Sequence, residues 1–187
     1  MNKLLLVTGD LATGKSTFST ILSNRYGSCV FNKDTLKEAM CDTIGFSNRE
    51  ENLRLSAAAM ELMLLIFKEF AGFGKDLILE ANFHKAELDR FHEIARAHNY
   101  EVLILVFRGD VEILHKRYVN RIEHENRHPV HLSTTLHIFE DFKGYLEDAR
   151  KETIDGNVIA VQADDFSYQT DAKLLSKVDE FMGQKHQ

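Results

Sequence analysis

Gly9-Asp10-Leu11-Ala12-Thr13-Gly14-Lys15-Ser16 fits the pattern Gly-x-x-x-x-Gly-Lys-Ser/Thr, and its flanks decide how the chain is read. Before it, Leu4-Leu5-Leu6-Val7 is an apolar run without polar alternation, as expected of a strand buried on both faces. After it, a helical pattern begins near Lys15. Strand, glycine-bearing turn and helix in that order are the context the motif requires, which a chance glycine turn before a helix would not supply at all eight positions. Glycines let the backbone curl so that successive N–H groups point inward at phosphate oxygens, and the helix adds its positive N-terminal dipole. Gly9 to Ser16, with Thr17 beside them, are therefore candidate nucleotide-binding residues. Lys15, read as an exposed loop ammonium, would bridge the β- and γ-phosphates, and Ser16 would give a hydroxyl to Mg²⁺.

Working outward, short apolar runs alternate with longer helical patterns. Leu4 to Val7, Cys29 to Phe31, Leu77 to Leu79, Val102 to Phe107 and Val158 to Val161 read as strands, and roughly 15–26, 34–44, 48–72, 85–98, 110–125, 134–151 and 169–182 as helices. This β-α alternation predicts an α/β doubly wound fold with a parallel sheet. Segment 48–72 is apolar nearly all round a helical wheel and predicts a central packed helix, with Met60 and Met63 filling core gaps. Arginines and histidines crowd 108–133 around Pro129, which stands alone of its kind in the chain and marks 122–133 as an exposed, cationic, mobile lid. The 187 residues otherwise read as one domain, 1–187.

Composition removes several classes. With 23 Lys and Arg against 29 Asp and Glu, the net charge is −6, so the whole surface is not built to grip nucleic acid. Cys29 and Cys41 are too few for a disulfide framework and too far apart for a Cys-x-x-Cys knuckle, which makes a reducing cytoplasm the simplest setting. The apolar run at the start stops at Thr8-Gly9-Asp10, before a secretory h-region could form, and the stretch Leu62 to Phe67 is too short to span a bilayer. No membrane segment is expected.

Other chemistries fit less well. Asn32-Lys33-Asp34-Thr35 imitates the Asn-Lys-x-Asp guanine reader, but Thr35 stands where Asp is needed and no Asp-x-x-Gly switch follows. No Gly-x-Ser-x-Gly elbow marks a hydrolase. His124, His128, His131 and His137 gather near the lid, yet a loop without a nearby cysteine is a poor cage, so no structural metal is expected; these histidines line the acceptor pocket or lie exposed.

With the phosphate loop, the acid after the second strand and the arginine-rich lid together, the chain resembles the small P-loop kinases. That group includes chloramphenicol phosphotransferase, polynucleotide 5′-kinase, shikimate and gluconate kinases and the zeta toxins. The resemblance spans essentially the whole chain and implies a kinase-like three-layer sandwich with strand order 2-3-1-4-5. It also implies ATP and Mg²⁺ as cofactors. Asp34, in Val30-Phe31-Asn32-Lys33-Asp34, would then be the general base that takes the acceptor hydroxyl's proton, with capping of a helix beginning at Thr35 as its ordinary alternative. Glu80, in Leu77-Ile78-Leu79-Glu80, would hold a metal-bound water, standing where the more usual residue is Asp. Asn82 would contact the acceptor or form a turn.

Arg117 and Arg121 fall at i and i+4 just before the lid. By the resemblance, Arg117 stacks on the base, Arg121 neutralises the transferred group, and Arg127 is a further arginine within the lid. The implied activity is transfer of the γ-phosphoryl group to the hydroxyl of a small molecule. A polynucleotide or nucleoside 5′-hydroxyl is the second choice, and a non-catalytic ATP-binding module a third.

Overall fold

The computed structural model describes residues 1–132 and 134–183. Five strands, β1 (Asn2–Gly9), β2 (Cys29–Asn32), β3 (Leu77–Glu80), β4 (Tyr100–Arg108) and β5 (Val158–Gln162), form one sheet in the order β2-β3-β1-β4-β5. Every pairing is parallel. Seven helices join them among the described residues: α1 (Lys15–Tyr26), α2 (Lys33–Ile44), α3 (Arg49–Gly72), α4 (Lys85–Ala97), α5 (Val111–His124), α6 (Phe139–Arg150) and α7 (Ala172–Met182). No helix among the described residues is long and apolar enough to cross a membrane.

The two-residue period of β1 divides the core. Leu4 and Leu6 face Met60, Met63 and Phe67 of α3 and Phe91 of α4, while Leu5 and Val7 face Phe18 and Leu22 of α1 and Val178 of α7. All four β1 side chains are fully buried, and each contributes about 1.5–3 kcal/mol of transfer free energy. The apolar run before the phosphate loop thus fixes the middle of the sheet, with a helical layer on each face.

Two expectations need correction. Helix α3 is not buried all round: Asn52, Leu55, Ala59, Met60, Met63, Leu64, Phe67 and Ala71 form its inner stripe, whereas Leu53 and Leu65 are half exposed. Its partners, the sheet and α4, lie on the inward side, and hydropathy around a wheel does not say which side solvent takes. The lid segment also differs from an exposed loop. Its first residues, 122–124, continue α5. Pro129–His131 then make a 3-10 turn with proline in its first turn, where a missing N–H costs nothing. Val130 is 1% exposed and packs with Cys41 and Leu55, so the turn is docked between α2 and α3. Ser133, the last residue of the expected lid, lies outside the described residues.

Candidate nucleotide and phosphoryl-transfer site

The loop between β1 and α1 folds as its motif demands. Gly9 has φ 115°, and a Cβ there would come within 2.1 Å of the Phe107 carbonyl, so no side chain fits between β1 and β4. Gly14 has φ 84°, and a Cβ would meet the Tyr168 hydroxyl at 2.5 Å. Ala12 is also left-handed, with φ 58°; alternation of such residues turns successive amides toward a common point and makes an anion cradle. The Thr13 hydroxyl donates to the Asp10 carbonyl at 2.9 Å, and the Tyr168 hydroxyl donates to the Thr13 carbonyl at 2.7 Å. Leu11 and Ala12 pack against the Leu114, Tyr118, Phe142 and Leu146 cluster, which seats the loop's outer side on α5 and α6. Thr17 is exposed in the first turn of α1.

Lys15 is not the exposed ammonium expected. It is 7% exposed and donates to the carbonyls of Gly9 at 3.1 Å and Asp10 at 2.5 Å. Burial holds its pKa below the ordinary lysine value, opposed by the charges of Glu80, Asp10 and Asp34 and reinforced by Arg121. One lysine therefore senses acids from the loop after β1, from β3 and from α2 and a cation from α5, all at the carboxyl edge of the sheet, where open α/β folds bind ligands.

Ser16 donates to Glu80 Oε1 at 3.1 Å, and the Asn32 amide donates to Glu80 Oε2 at 2.5 Å. Glu80 is 5% exposed; burial raises its carboxyl pKa, while Lys15 and the bonds from Asn32 and Ser16 pull it down. A buried carboxylate touching a serine hydroxyl next to a phosphate cradle is an all-oxygen donor set, and it fits Mg²⁺, which takes one or two protein ligands and fills its shell with water and phosphate. The longer Glu side chain thus reaches the Ser16 hydroxyl directly.

Asn32 answers the capping question for Asp34. Helix α2 starts at Lys33, and the Asn32 Oδ1 accepts from the backbone N–H of Asp34 at 2.7 Å and of Thr35 at 3.1 Å. Asp34 is therefore not the cap; it lies exposed in the first turn, with its carboxylate uncommitted to that role. Asn82 lies beside the Tyr145 phenol of α6, whose surroundings also include Asp34, Arg49 and Tyr118. Although Tyr145 is 40% exposed overall, local desolvation raises its phenol pKa, and the neighbouring Asn82 opposes this. Tyr145 and Arg49 were not picked out from the sequence, since neither lies in a motif.

Arg117 donates to the carbonyls of Ala163 and Asp164 and lies 4.4 Å over the Phe166 ring. Its expected contact is a base; in the structure the guanidinium joins α5 to the loop after β5, a planar surface beside Gly14. Arg121 bonds Glu125 at 3.0 Å while remaining within electrostatic range of Lys15. Arg127 stands 5.9 Å over the Tyr118 ring.

The histidines divide: His124 and His137 lie exposed, whereas His128 and His131 are half-buried against α2. His128 pairs with Asp42 at 3.0 Å and His131 with Glu38 at 2.6 Å, both on α2, and His124 bonds the Asn120 carbonyl. Asn52 donates to the Val130 carbonyl at 2.8 Å. The His128 and His131 pairs fasten the 3-10 turn to α2, the helix that carries Asp34, and Asn52 fastens it to α3. Val130→Ala, a loss of buried methyls with a partly unfilled space, is expected to cost about 1–3 kcal/mol locally. It should speed proteolysis within 125–132 relative to α3. An unchanged cleavage ratio would show that Val130 does not anchor the segment.

Asp10 departs most from its expected part. Its carboxylate does not enter the cradle; fully buried, it pairs with Arg108 at 2.9 Å and Arg150 at 2.5 Å and accepts the Gly109 N–H at 3.1 Å.

A parallel sheet in this order, with a phosphate cradle after the first strand and an arginine-bearing helix after the fourth, defines a P-loop kinase-like fold. The chain belongs to an AAA domain family, whose model matches residues 4–147. No match was found among curated proteins. Among solved structures, a candidate kinase from Chloroflexus aurantiacus is 25% identical, with a TM-score of 0.77 over 100% of this chain and 99% of that one. Shikimate kinase from Bacteroides thetaiotaomicron is 15% identical with a TM-score of 0.60, over 97% of this chain and 98% of the other. The tunicamycin resistance protein of Deinococcus radiodurans is 17% identical with a TM-score of 0.62, over 95% and 96%. The last two show a shared fold.

Proposed function

We propose that this protein is an ATP- and Mg²⁺-dependent kinase that transfers the γ-phosphoryl group to a hydroxyl of a small-molecule acceptor. The observation that carries the reading is convergence: Lys15, Ser16, Glu80, Asp34 and Arg121, from the four elements α1, β3, α2 and α5, act on one another at one sheet edge. Binding alone would not call for an uncommitted carboxylate beside the lysine. Chain 1–187 forms one catalytic domain, with 122–133 as its lid, in a cytoplasmic setting where Cys29 and Cys41 stay unpaired.

Triphosphate binding exchanges the Gly9 and Asp10 carbonyls on Lys15 for phosphate oxygens, which better match the ammonium's charge. Ser16 and Glu80 would hold Mg²⁺, which supplies neutralisation of the phosphate oxygens. Arg117 and Phe166 offer a flat surface for the base. Asp34 takes the acceptor's proton as its oxygen attacks in line, and Arg121, with Arg127 as a further arginine of the lid, neutralises charge on the transferred group. Asn82, beside Tyr145, orients the acceptor.

A panel of hydroxyl metabolites and oligonucleotides incubated with radiolabelled ATP is expected to yield a labelled small molecule. Its initial rate should change little between about 50 and 200 mM salt, whereas a polynucleotide acceptor would lose affinity steeply over that range. A steep slope would replace the small-molecule reading with a nucleic-acid kinase, and ATP binding without any transfer would leave a nucleotide-binding module.

A further inference from the structure

A loop that holds polyphosphate gains nothing from a carboxylate of its own, yet Asp10 places one there with no exposed side-chain surface. Four donor groups meet it: Arg108 Nη1 at 2.9 Å, the Gly109 N–H at 3.1 Å, and Arg150 Nε at 3.3 Å and Nη2 at 2.5 Å. Arg108 ends β4 and Arg150 ends α6. Arg150 also donates to the Gly109 carbonyl at 2.6 Å. The same residue's main chain holds the working groups of the loop. The Asp10 N–H donates to the Phe107 carbonyl at 2.8 Å, and the Asp10 carbonyl receives both Lys15 and Thr13. Side chain and main chain of one residue thus hold separate partners, the one two guanidiniums and the other the lysine.

We infer that Arg150 is a positioning residue for nucleotide binding: through Asp10 it fixes the path of the phosphate loop and cancels a carboxylate that would otherwise repel the phosphates. This rests on the kinase reading. The cluster of one carboxylate and two guanidiniums is net positive, which suits a polyanion nearby. Arg108 alone can neutralise Asp10, but it contributes one donor atom where Arg150 contributes two in a fork. Loss of Arg150 therefore leaves a buried acid under-satisfied at the start of the loop, free to turn toward water on the side where phosphates lie. Removing the acid together with the arginine restores balance.

The experiment is titration of a fluorescent ATP analogue without acceptor, with melting curves alongside, for wild type, Arg150→Gln, Arg150→Lys, Asp10→Asn and the double variant D10N/R150Q. Arg150→Gln is expected to weaken nucleotide affinity about tenfold, the scale of a charged-pair coupling. Arg150→Lys should fall between it and wild type, because an ammonium keeps the charge but loses the fork. The double variant should bind more tightly than Arg150→Gln. Should Arg150→Gln fail to fold, Arg150→Lys against wild type carries the same comparison. Melting points that fall while every folded variant binds with wild-type affinity would overturn the inference and leave Arg150 a structural residue. A wild-type protein that does not bind the analogue would instead remove the kinase reading.

Discussion

Lys15→Ala is expected to lower phosphoryl transfer by about 10²–10³-fold or more, the loss seen when one preorganised charge-stabilising donor is removed from a transition state. ATP affinity should fall as well, since the ammonium serves ground state and transition state together. The fold should survive. Burial holds the Lys15 pKa below its ordinary 10.5, so the charged form is disfavoured in the native state. A lysine depressed in this way costs stability at pH values below its folded pKa, and that cost is relieved as pH rises toward 10.5. The alanine variant should therefore melt no lower than wild type near neutrality and lack the wild type's gain on alkalinisation. Circular dichroism melts over pH and a radiolabel assay check both halves. Wild-type turnover in this variant would take Lys15 out of the mechanism.

For Asp34→Asn, the expected result is a transfer rate reduced by about 10²–10⁴, the range for losing a general base, with ATP affinity within a few-fold of wild type. The structure makes this substitution clean. Asn32 already caps α2 with its Oδ1, and Asp34 needs only its backbone N–H for that bond. An amide at position 34 keeps the shape and removes the charge. Single-turnover rates at saturating ATP, beside an ATP titration, separate the two quantities. Parallel losses in both would assign Asp34 to holding the nucleotide or its metal rather than to proton transfer.

How much of this could be read from residues alone depended on the range of the interaction. The strands were legible because Leu4 to Val7 and its partners are apolar on both faces, and the cradle because its eight positions are contiguous. What was misread involves side chains whose partner lies far along the chain. Asp10 meets Arg150 at a separation of 140 residues, and no periodicity marks which of many surface-type arginines turns inward. Asn32, which as sequence resembled a fragment of a guanine reader, caps α2 with one atom and bonds Glu80 with another. The lid's histidines look solvent-bound by type, but Val130 between them is a small apolar anchor, and one valine leaves no pattern. Tyr145 was missed for the same reason: its place beside Asn82 comes from how α6 packs, not from neighbours in the chain.

The sheet order also governs how the chain is made. Leu4 pairs with Leu77 on one side and Val102 on the other. In a chain elongated at about 5–20 residues per second, those partners arrive roughly 70 and 100 residues later, seconds after β1 has left the ribosome. During that interval Leu4, Leu5, Leu6 and Val7, all fully buried in the finished sheet, have no strand beside them. Nascent β1 is thus the segment most in need of a holding chaperone, and codons that slow synthesis between α1 and β3 would lengthen its exposure. Synonymous changes there, which leave every residue as it is, should alter the yield of folded protein more than equal changes beyond β4.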